Sequence, residues 1–273
     1  LHLKEVDLIL RSTSSFMKKH ENQLTRIGKS MEDSQTLICN DCPRNCNMAR
    51  SLYASAVPLK TGFCRKAFQP TVARAALHHW EEPCISGTNG SGAVFFGGCN
   101  LQCVFCQNAE ISHQDSGIAV TPEILKKIYT DLISQGAHNI NLVTPTHYIR
   151  AVTESLDTHL SVPVIYNCGG YEKIETIRLL KDKIQIWLPD LKYLDEAAAT
   201  RYGAASDYPR VATRAIKEMY EQTGPFEMDD RGLLTRGIII RHLILPGNTE
   251  NSKRVIDWVE NNFSEGQVLF SLM

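Results

Sequence analysis

Charge of one sign is missing from this chain: 29 lysines and arginines meet 30 acids, a formal net charge of −1. Nothing in that balance suggests a nucleic-acid surface. Long apolar runs are missing too. No stretch approaches the ~20 residues that a membrane-spanning helix needs. A secretory leader is not recognisable, so a reducing, cytoplasmic setting is expected. What remains is ordinary for a soluble globular protein, with 43% apolar and 22% charged residues over 273 positions.

Cysteine is the exception to this plainness. Nine occur, mostly in two groups, which favours metal over disulfides. Cys99, Cys103 and Cys106 lie in the run Gly97-Gly98-Cys99-Asn100-Leu101-Gln102-Cys103-Val104-Phe105-Cys106, with C-x3-C-x2-C spacing. Three thiolates hold three corners of a four-iron cluster and leave the fourth iron open. An open position is what separates a catalytic metal site from a structural one. A zinc site wants a fourth protein ligand, and this loop has no nearby histidine. Phe105 is placed to shield the cluster or a bound adenine from water.

From residue 92 onward apolar runs alternate with helical stripes. Strands are predicted at 93–96, 140–143, 162–166, 184–188, 238–245 and 268–272. Helices are predicted between them, with Thr121, Asp207 and Thr249 as caps and Gly136 as a stop. Such alternation implies a parallel sheet. A doubly wound sheet and a partial barrel share this rhythm. Residues 3–30 carry Leu3, Val6, Leu10 and Leu24 among charges, suggesting one or two amphipathic helices. Both ends fall as if cut, so a longer natural chain is expected.

The cysteine run resembles the signature of the radical S-adenosylmethionine (SAM) enzymes. In that superfamily the amino and carboxylate groups of SAM chelate the unique iron. Reduction then cleaves the sulfonium to a 5′-deoxyadenosyl radical. The resemblance implies an α/β fold, a partial (βα)6 TIM-like barrel over residues 88–273, behind an N-terminal helical and cysteine-rich extension over 1–87. It implies a 4Fe-4S cluster on Cys99, Cys103 and Cys106, SAM as cosubstrate, and a low-potential electron donor of the flavodoxin or ferredoxin type.

The rim residues follow from the same resemblance. The superfamily's Gly-Gly-Glu-Pro motif is absent, and Thr144-Pro145-Thr146 stands in its place, so Thr144 and Thr146 are the candidates for the SAM amino end. A Thr-capped helix start explains them equally well. The Asp190-Leu191-Lys192 run is similar to one in glycyl-radical activating enzymes, where the acid and lysine help hold SAM. Arg241, followed by Pro246-Gly247, is carried over as a contact to the SAM carboxylate or ribose. An arginine inside an apolar strand also needs a polar cavity on physical grounds. His147 is a candidate proton donor and Cys168 a candidate relay; both also suit purely structural roles.

From Cys39 onward the chain is similar to the pyruvate formate-lyase activating enzyme branch of PflX type. The matching runs include Cys39-Asn40-Asp41-Cys42-Pro43-Arg44-Asn45-Cys46, Gly62-Phe63-Cys64-Arg65 and Glu81-Glu82-Pro83-Cys84. Cys39, Cys42, Cys46 and Cys64 form the second group. They fit a zinc site, an auxiliary iron–sulfur cluster, or unligated thiols, with Cys84 as a substitute ligand and Arg44 and Arg50 offsetting the thiolate charge. The expected function is hydrogen abstraction from a protein or small molecule, as in activation of a glycyl-radical enzyme. The competing function is an iron–sulfur electron carrier or metal-stapled interaction protein without SAM cleavage.

Overall fold

The computed structural model describes residues 36–54, 59–114 and 116–273. The helices expected over residues 3–30 lie outside the described residues. The chain opens with a small antiparallel hairpin, β1 (Thr36–Ile38) and β2 (Ala49–Ser51). Then come β3 (Thr71–His78), α1 (Pro83–Ser86), β4 (Ser91–Phe96), α2 (Ala109–Ser112), β5 (Ile118–Ala119) and α3 (Pro122–Ser134). The middle of the chain forms β6 (Ile140–Val143), a 3₁₀ turn over Thr146–Tyr148, α4 (Ile149–Ser155), β7 (Val164–Cys168), α5 (Ile174–Arg178) and β8 (Ile186–Pro189). It ends with α6 (Glu196–Gly203), α7 (Tyr208–Thr223), β9 (Glu227–Met228), β10 (Leu234–His242), α8 (Thr249–Asn262) and β11 (Leu269–Leu272).

The main sheet runs β11-β10-β8-β7-β6-β4-β3-β5, with β9 added to β10. All six expected strands are present: β4, β6, β7, β8, β10 and β11, each parallel to its neighbour. Their spatial order is their order in the chain. A doubly wound sheet reverses direction at its first strand; this one never does. With right-handed crossovers, an unreversed order puts every connecting helix on one side of the sheet. That is the arrangement of a partial (βα)6 barrel. The sheet also takes in β3 and β5 as antiparallel edge strands, so it begins at Thr71, inside the segment expected as an extension.

Local chemistry explains the elements. Thr121 caps α3 by accepting from the Ile124 amide at 3.4 Å, Pro122 occupies the first turn, and Gly136 at φ +97° follows the end. Ile124, Leu125, Ile128, Tyr129 and Leu132 form its buried stripe. Two expected caps differ. Asp207 stands at the start of α7, but its carboxylate accepts from the Tyr171 hydroxyl at 2.6 Å instead of capping. Thr249 is the first residue of α8, and Asn248 precedes it as the cap position.

Strand alternation divides the core between the two sheet faces. Leu142, Tyr166, Trp187, Ile238 and Ile240 face the helices and join the larger core. Ile165, Ile186, Leu188 and Ile239 face the other way, where α1 supplies Ile85. Two residues further along the same strands, that second face turns polar: Ile165 is followed by Asn167, Leu188 by Asp190, and Ile239 by Arg241. The apolar floor and polar rim position the site. Among the described residues no helix is long and apolar enough to cross a membrane.

Candidate active site

Arg241 is the centre of the rim. Its Nε donates to Asp190 Oδ1 at 2.9 Å, Nη1 to Glu81 Oε1 at 2.9 Å, and Nη2 to Asn167 Oδ1 at 2.7 Å. The other Glu81 oxygen accepts from Asn141 and Asn167, both at 3.1 Å. Lys192 Nζ meets Asp190 Oδ2 at 2.5 Å. Two acids and two bases thus balance in a mostly buried cluster, as buried charge requires. Burial acts to raise the Asp190 carboxyl, but Arg241 and Lys192 outweigh it and hold the group below its ordinary range. Burial acts to lower Lys192, and Asp190 and the Cys103 sulfur hold it above its ordinary range.

The loop after β4 carries the three cysteines. Gly98 at φ +83° and Gln102 at φ +53° turn it sharply. The Cys106 amide donates to the Cys103 carbonyl at 3.1 Å, closing the turn. Cys99, Cys103 and Cys106 lie within one another's electrostatic field. Burial pushes the Cys99 thiol up to about 11. Burial also raises Cys103, against the pull of the Lys192 ammonium. The Leu101 amide donates to Cys99 Sγ at 3.3 Å and the Ser112 hydroxyl to Cys106 Sγ at 3.3 Å. Phe105 packs edge-on against Tyr193 at 6.5 Å and Tyr202 at 6.3 Å, an aromatic wall beside the loop.

Among the described residues, no three His, Cys, Asp or Glu side chains converge closely enough to hold a single metal ion. The fit to a cluster rests on the loop itself. Three thiols share one tight turn, two sulfurs already receive hydrogen-bond donors, and a lysine stands beside the third. That donor set suits a four-iron cluster held at three corners. Nearby, Asn141 Oδ1 is buried without a partner, an acceptor left for a ligand's donor.

The structure joins Asp190, Lys192 and Arg241 into one network and brings Lys192 to the cysteine loop. The threonines sit differently. Thr146 is buried, and its hydroxyl donates to Glu172 at 2.6 Å. Thr144 takes φ +60°, rare for a β-branched residue, with its amide bonded to the Asn167 carbonyl at 2.8 Å. His147 donates from Nε2 to the Gly97 carbonyl at 2.8 Å, and burial holds its pKa down to about 3. It is a neutral support for the glycine turn, the structural one of its two candidate roles. Cys168 is buried on the helix-facing side with Tyr166, with its thiol pushed up by burial, so it is turned from the rim network and unsuited to a relay.

Sequence reasoning missed Glu81, Asn141 and Asn167. An asparagine within the apolar run Ile140-Asn141-Leu142-Val143 is the same signal that singled out Arg241. Glu81 had no comparable signal, because its partner lies 160 positions away. In the second cysteine group, Arg50 reaches Cys39 Sγ at 3.7 Å, as expected. Arg44 does not serve the thiolates with its guanidinium. It bonds the carbonyls of Asn100 at 2.6 Å and Gly203 at 2.8 Å and lies over the Phe63 ring at 3.8 Å.

The chain is 23% identical over 258 residues to an uncharacterized protein of Methanocaldococcus jannaschii, covering 90% of this chain and 71% of that protein. The fold is similar to a crystal structure of Streptococcus suis SuiB bound to S-adenosylmethionine, with TM-score 0.45 and 16% identity over 64% of this chain and 38% of SuiB. A second SuiB structure aligns with TM-score 0.46 and 16% identity over 67% of this chain. The chain therefore spans well under half of SuiB. Residues 85–150, which hold the three cysteines, match the family described as a 4Fe-4S single cluster domain.

Proposed function

We propose that this chain is a radical SAM enzyme that cleaves S-adenosylmethionine reductively and takes a hydrogen atom from its substrate. One observation carries the reading: Lys192 pairs with Asp190 at 2.5 Å and lies within the electrostatic field of Cys103, so a charged rim adjoins a three-thiol loop. An electron carrier has no use for that rim. When bound, the cluster supplies an electron and an open iron position, and SAM supplies the cleavable sulfonium.

The chain's own residues do the positioning. Cys99, Cys103 and Cys106 hold the cluster. Lys192 is a compact point charge suited to the SAM carboxylate. Asp190 fixes both Lys192 and Arg241, and Arg241 is itself fixed by Glu81 and Asn167. The Phe105, Tyr193 and Tyr202 rings exclude water from the loop.

The finer reading is activation of a glycyl-radical enzyme, with a backbone glycine of a partner protein as hydrogen donor. Its support is the similarity of Asp190-Leu191-Lys192 and of Arg241 with Pro246-Gly247 to activating enzymes. Both readings require a low-potential flavodoxin or ferredoxin and a reducing cytoplasm. The test is anaerobic reconstitution with iron and sulfide, reduction, and assay for 5′-deoxyadenosine. Product is expected from the wild type and none from Cys106→Ala. A reduced, iron-loaded wild type that yields none overturns the reading in favour of an electron carrier. A glycyl radical appearing on a co-purified partner after turnover supports the finer reading, and its absence removes it.

A further inference from the structure

Arg50 is fully buried, and among the described residues no acid forms an ion pair with it. Its guanidinium donates from Nε to the Lys66 carbonyl at 2.7 Å and from Nη2 to the Ala67 carbonyl. The remaining nitrogen, Nη1, points at Cys39 Sγ, 3.7 Å away. Arginine cannot shed its proton in a protein. Its guanidinium carbon also lies over the Phe68 ring at 4.4 Å, so among the described residues this buried cation meets carbonyls, an aromatic face and a sulfur, surroundings that a negative charge on the sulfur would favour.

We propose that Cys39, Cys42, Cys46 and Cys64 bind a second, thiophilic metal centre as four thiolates, separate from the three-thiol loop. Four thiolates around a divalent ion or an iron–sulfur cubane keep a net negative charge. That charge would pair with the buried Arg50 guanidinium, which reaches Cys39 Sγ at 3.7 Å.

The local structure is built for it. Cys39 directly follows β1, and the connection to β2 carries Cys42 and Cys46. Backbone bonds from Cys39 to Met48 and from Asn47 to Cys39, both at 3.0 Å, hold that connection against the hairpin. Cys64 arrives on a separate turn, with Arg65 at φ +59°. The four sulfurs are mutual electrostatic neighbours: Cys42 with Cys39 and Cys64, and Cys64 with Cys39 and Cys46. Cys84 is not among them.

Every one of these sulfurs faces an N–H donor. Cys39 receives the Arg50 guanidinium, Cys42 the Arg44 amide, Cys46 the Phe63 amide at 3.4 Å, and Cys64 the Lys66 amide. Donors to all four sulfurs match the surroundings of ligating thiolates, whose outer hydrogen bonds orient them. Gly62 leaves room for one of them: a Cβ there would stand 2.9 Å from Cys46 Sγ. Among the described residues no three of these sulfurs stand close enough to hold a single metal ion, so binding requires these loops to draw together.

The centre would brace the first loop. Gln102 donates to the Phe63 carbonyl at 2.7 Å, Arg44 to the Asn100 carbonyl at 2.6 Å, and Gly98 packs against the Cys64 carbonyl. Metal binding at one cysteine set thereby fixes the backbone that presents the other.

The test is metal and acid-labile sulfide analysis of the full chain after anaerobic reconstitution with iron, sulfide and zinc. The wild type is expected to hold about four irons for the first loop, plus either about one zinc or about four further irons with matching sulfide. The Cys99→Ala/Cys103→Ala/Cys106→Ala variant is expected to keep only the second complement. The Cys39→Ala/Cys42→Ala variant is expected to lose it. A wild type with no zinc and no iron beyond about four per chain overturns the proposal, even if no variant folds. So does a folded Cys39→Ala/Cys42→Ala protein that retains the extra metal. Zinc without iron in the wild type would sink the radical SAM reading and leave this one standing.

Discussion

Arg241 and Asp190 face each other as a parallel β-bridge, with Nε 2.9 Å from Oδ1, at the point where the inner sheet face turns from apolar to charged. Asp190 also holds Lys192, so one carboxylate compensates two mostly buried cations. Asp190→Asn removes the charge and keeps the shape. Removing one partner of a buried pair costs about 3 kcal/mol. Thermal melting of the variant should show a loss of that order. Binding of SAM by equilibrium dialysis should weaken at least as much as for Lys192→Met, since both cations lose their anchor. A melt unchanged from wild type would mean that water replaces the pair.

Gly170 packs on the same carboxylate's backbone. At φ +75°, a Cβ added there would stand 2.3 Å from the Asp190 carbonyl oxygen, which also accepts from the Tyr208 hydroxyl at 2.7 Å. Gly232 has the same φ of +75° with nothing within 4 Å. Each alanine substitution carries the left-handed backbone cost of about 1 kcal/mol. Only Gly170→Ala adds a backbone clash. Denaturant midpoints should therefore separate the two variants, with Gly170→Ala lower by at least a further 1–3 kcal/mol or so. Equal losses would place the cost in conformation alone.

The parallel strands were legible because most are runs of apolar residues buried on both faces, as in Ile186-Trp187-Leu188, while β11 is an apolar run only partly covered. Their order was not, since periodicity carries no information about which strand lies beside which. β3 was missed because Thr71-Val72-Ala73-Arg74-Ala75-Ala76-Leu77-His78 pairs antiparallel near the sheet edge and tolerates Arg74 and His78 half-exposed. Arg241 was readable as a charge in an apolar strand. The network around it was not, because Glu81 and Asn167 reach it only through the assembled sheet. Thr146 shows the same limit. It is a hydroxyl at a strand end, but its partner Glu172 becomes visible only when β7 stands beside β6.

Thr144 is held at φ +60° between β6 and the 3₁₀ turn, and a β-branched side chain is strained there. Thr144→Gly removes the strain. The variant should gain about 1 kcal/mol if the folded backbone is unchanged, less the entropy glycine adds to the unfolded chain. If the strained turn serves the site, 5′-deoxyadenosine yield should fall while stability holds or rises. A variant less stable and equally active would show that the threonine side chain matters more than its backbone.

Glu172 is the buried acid with a titration inside the working range. Burial pushes its carboxyl from 4.5 up to about 8, and the hydroxyls of Thr146 and Tyr166 hold it back only in part. The folded state therefore binds this proton more tightly than the unfolded chain does. Its contribution to stability is complete below about pH 4.5 and is lost progressively as pH rises toward about 8, above which it is constant. Glu172→Gln removes that dependence. Wild-type stability should decline across the window, measured by denaturant melts at several pH values. The glutamine variant should be flatter and relatively more stable at pH 8 than at pH 5. The opposite slope in the wild type would mean that Glu172 is ionised in the folded protein, with the rim's cations reaching further than its immediate partners.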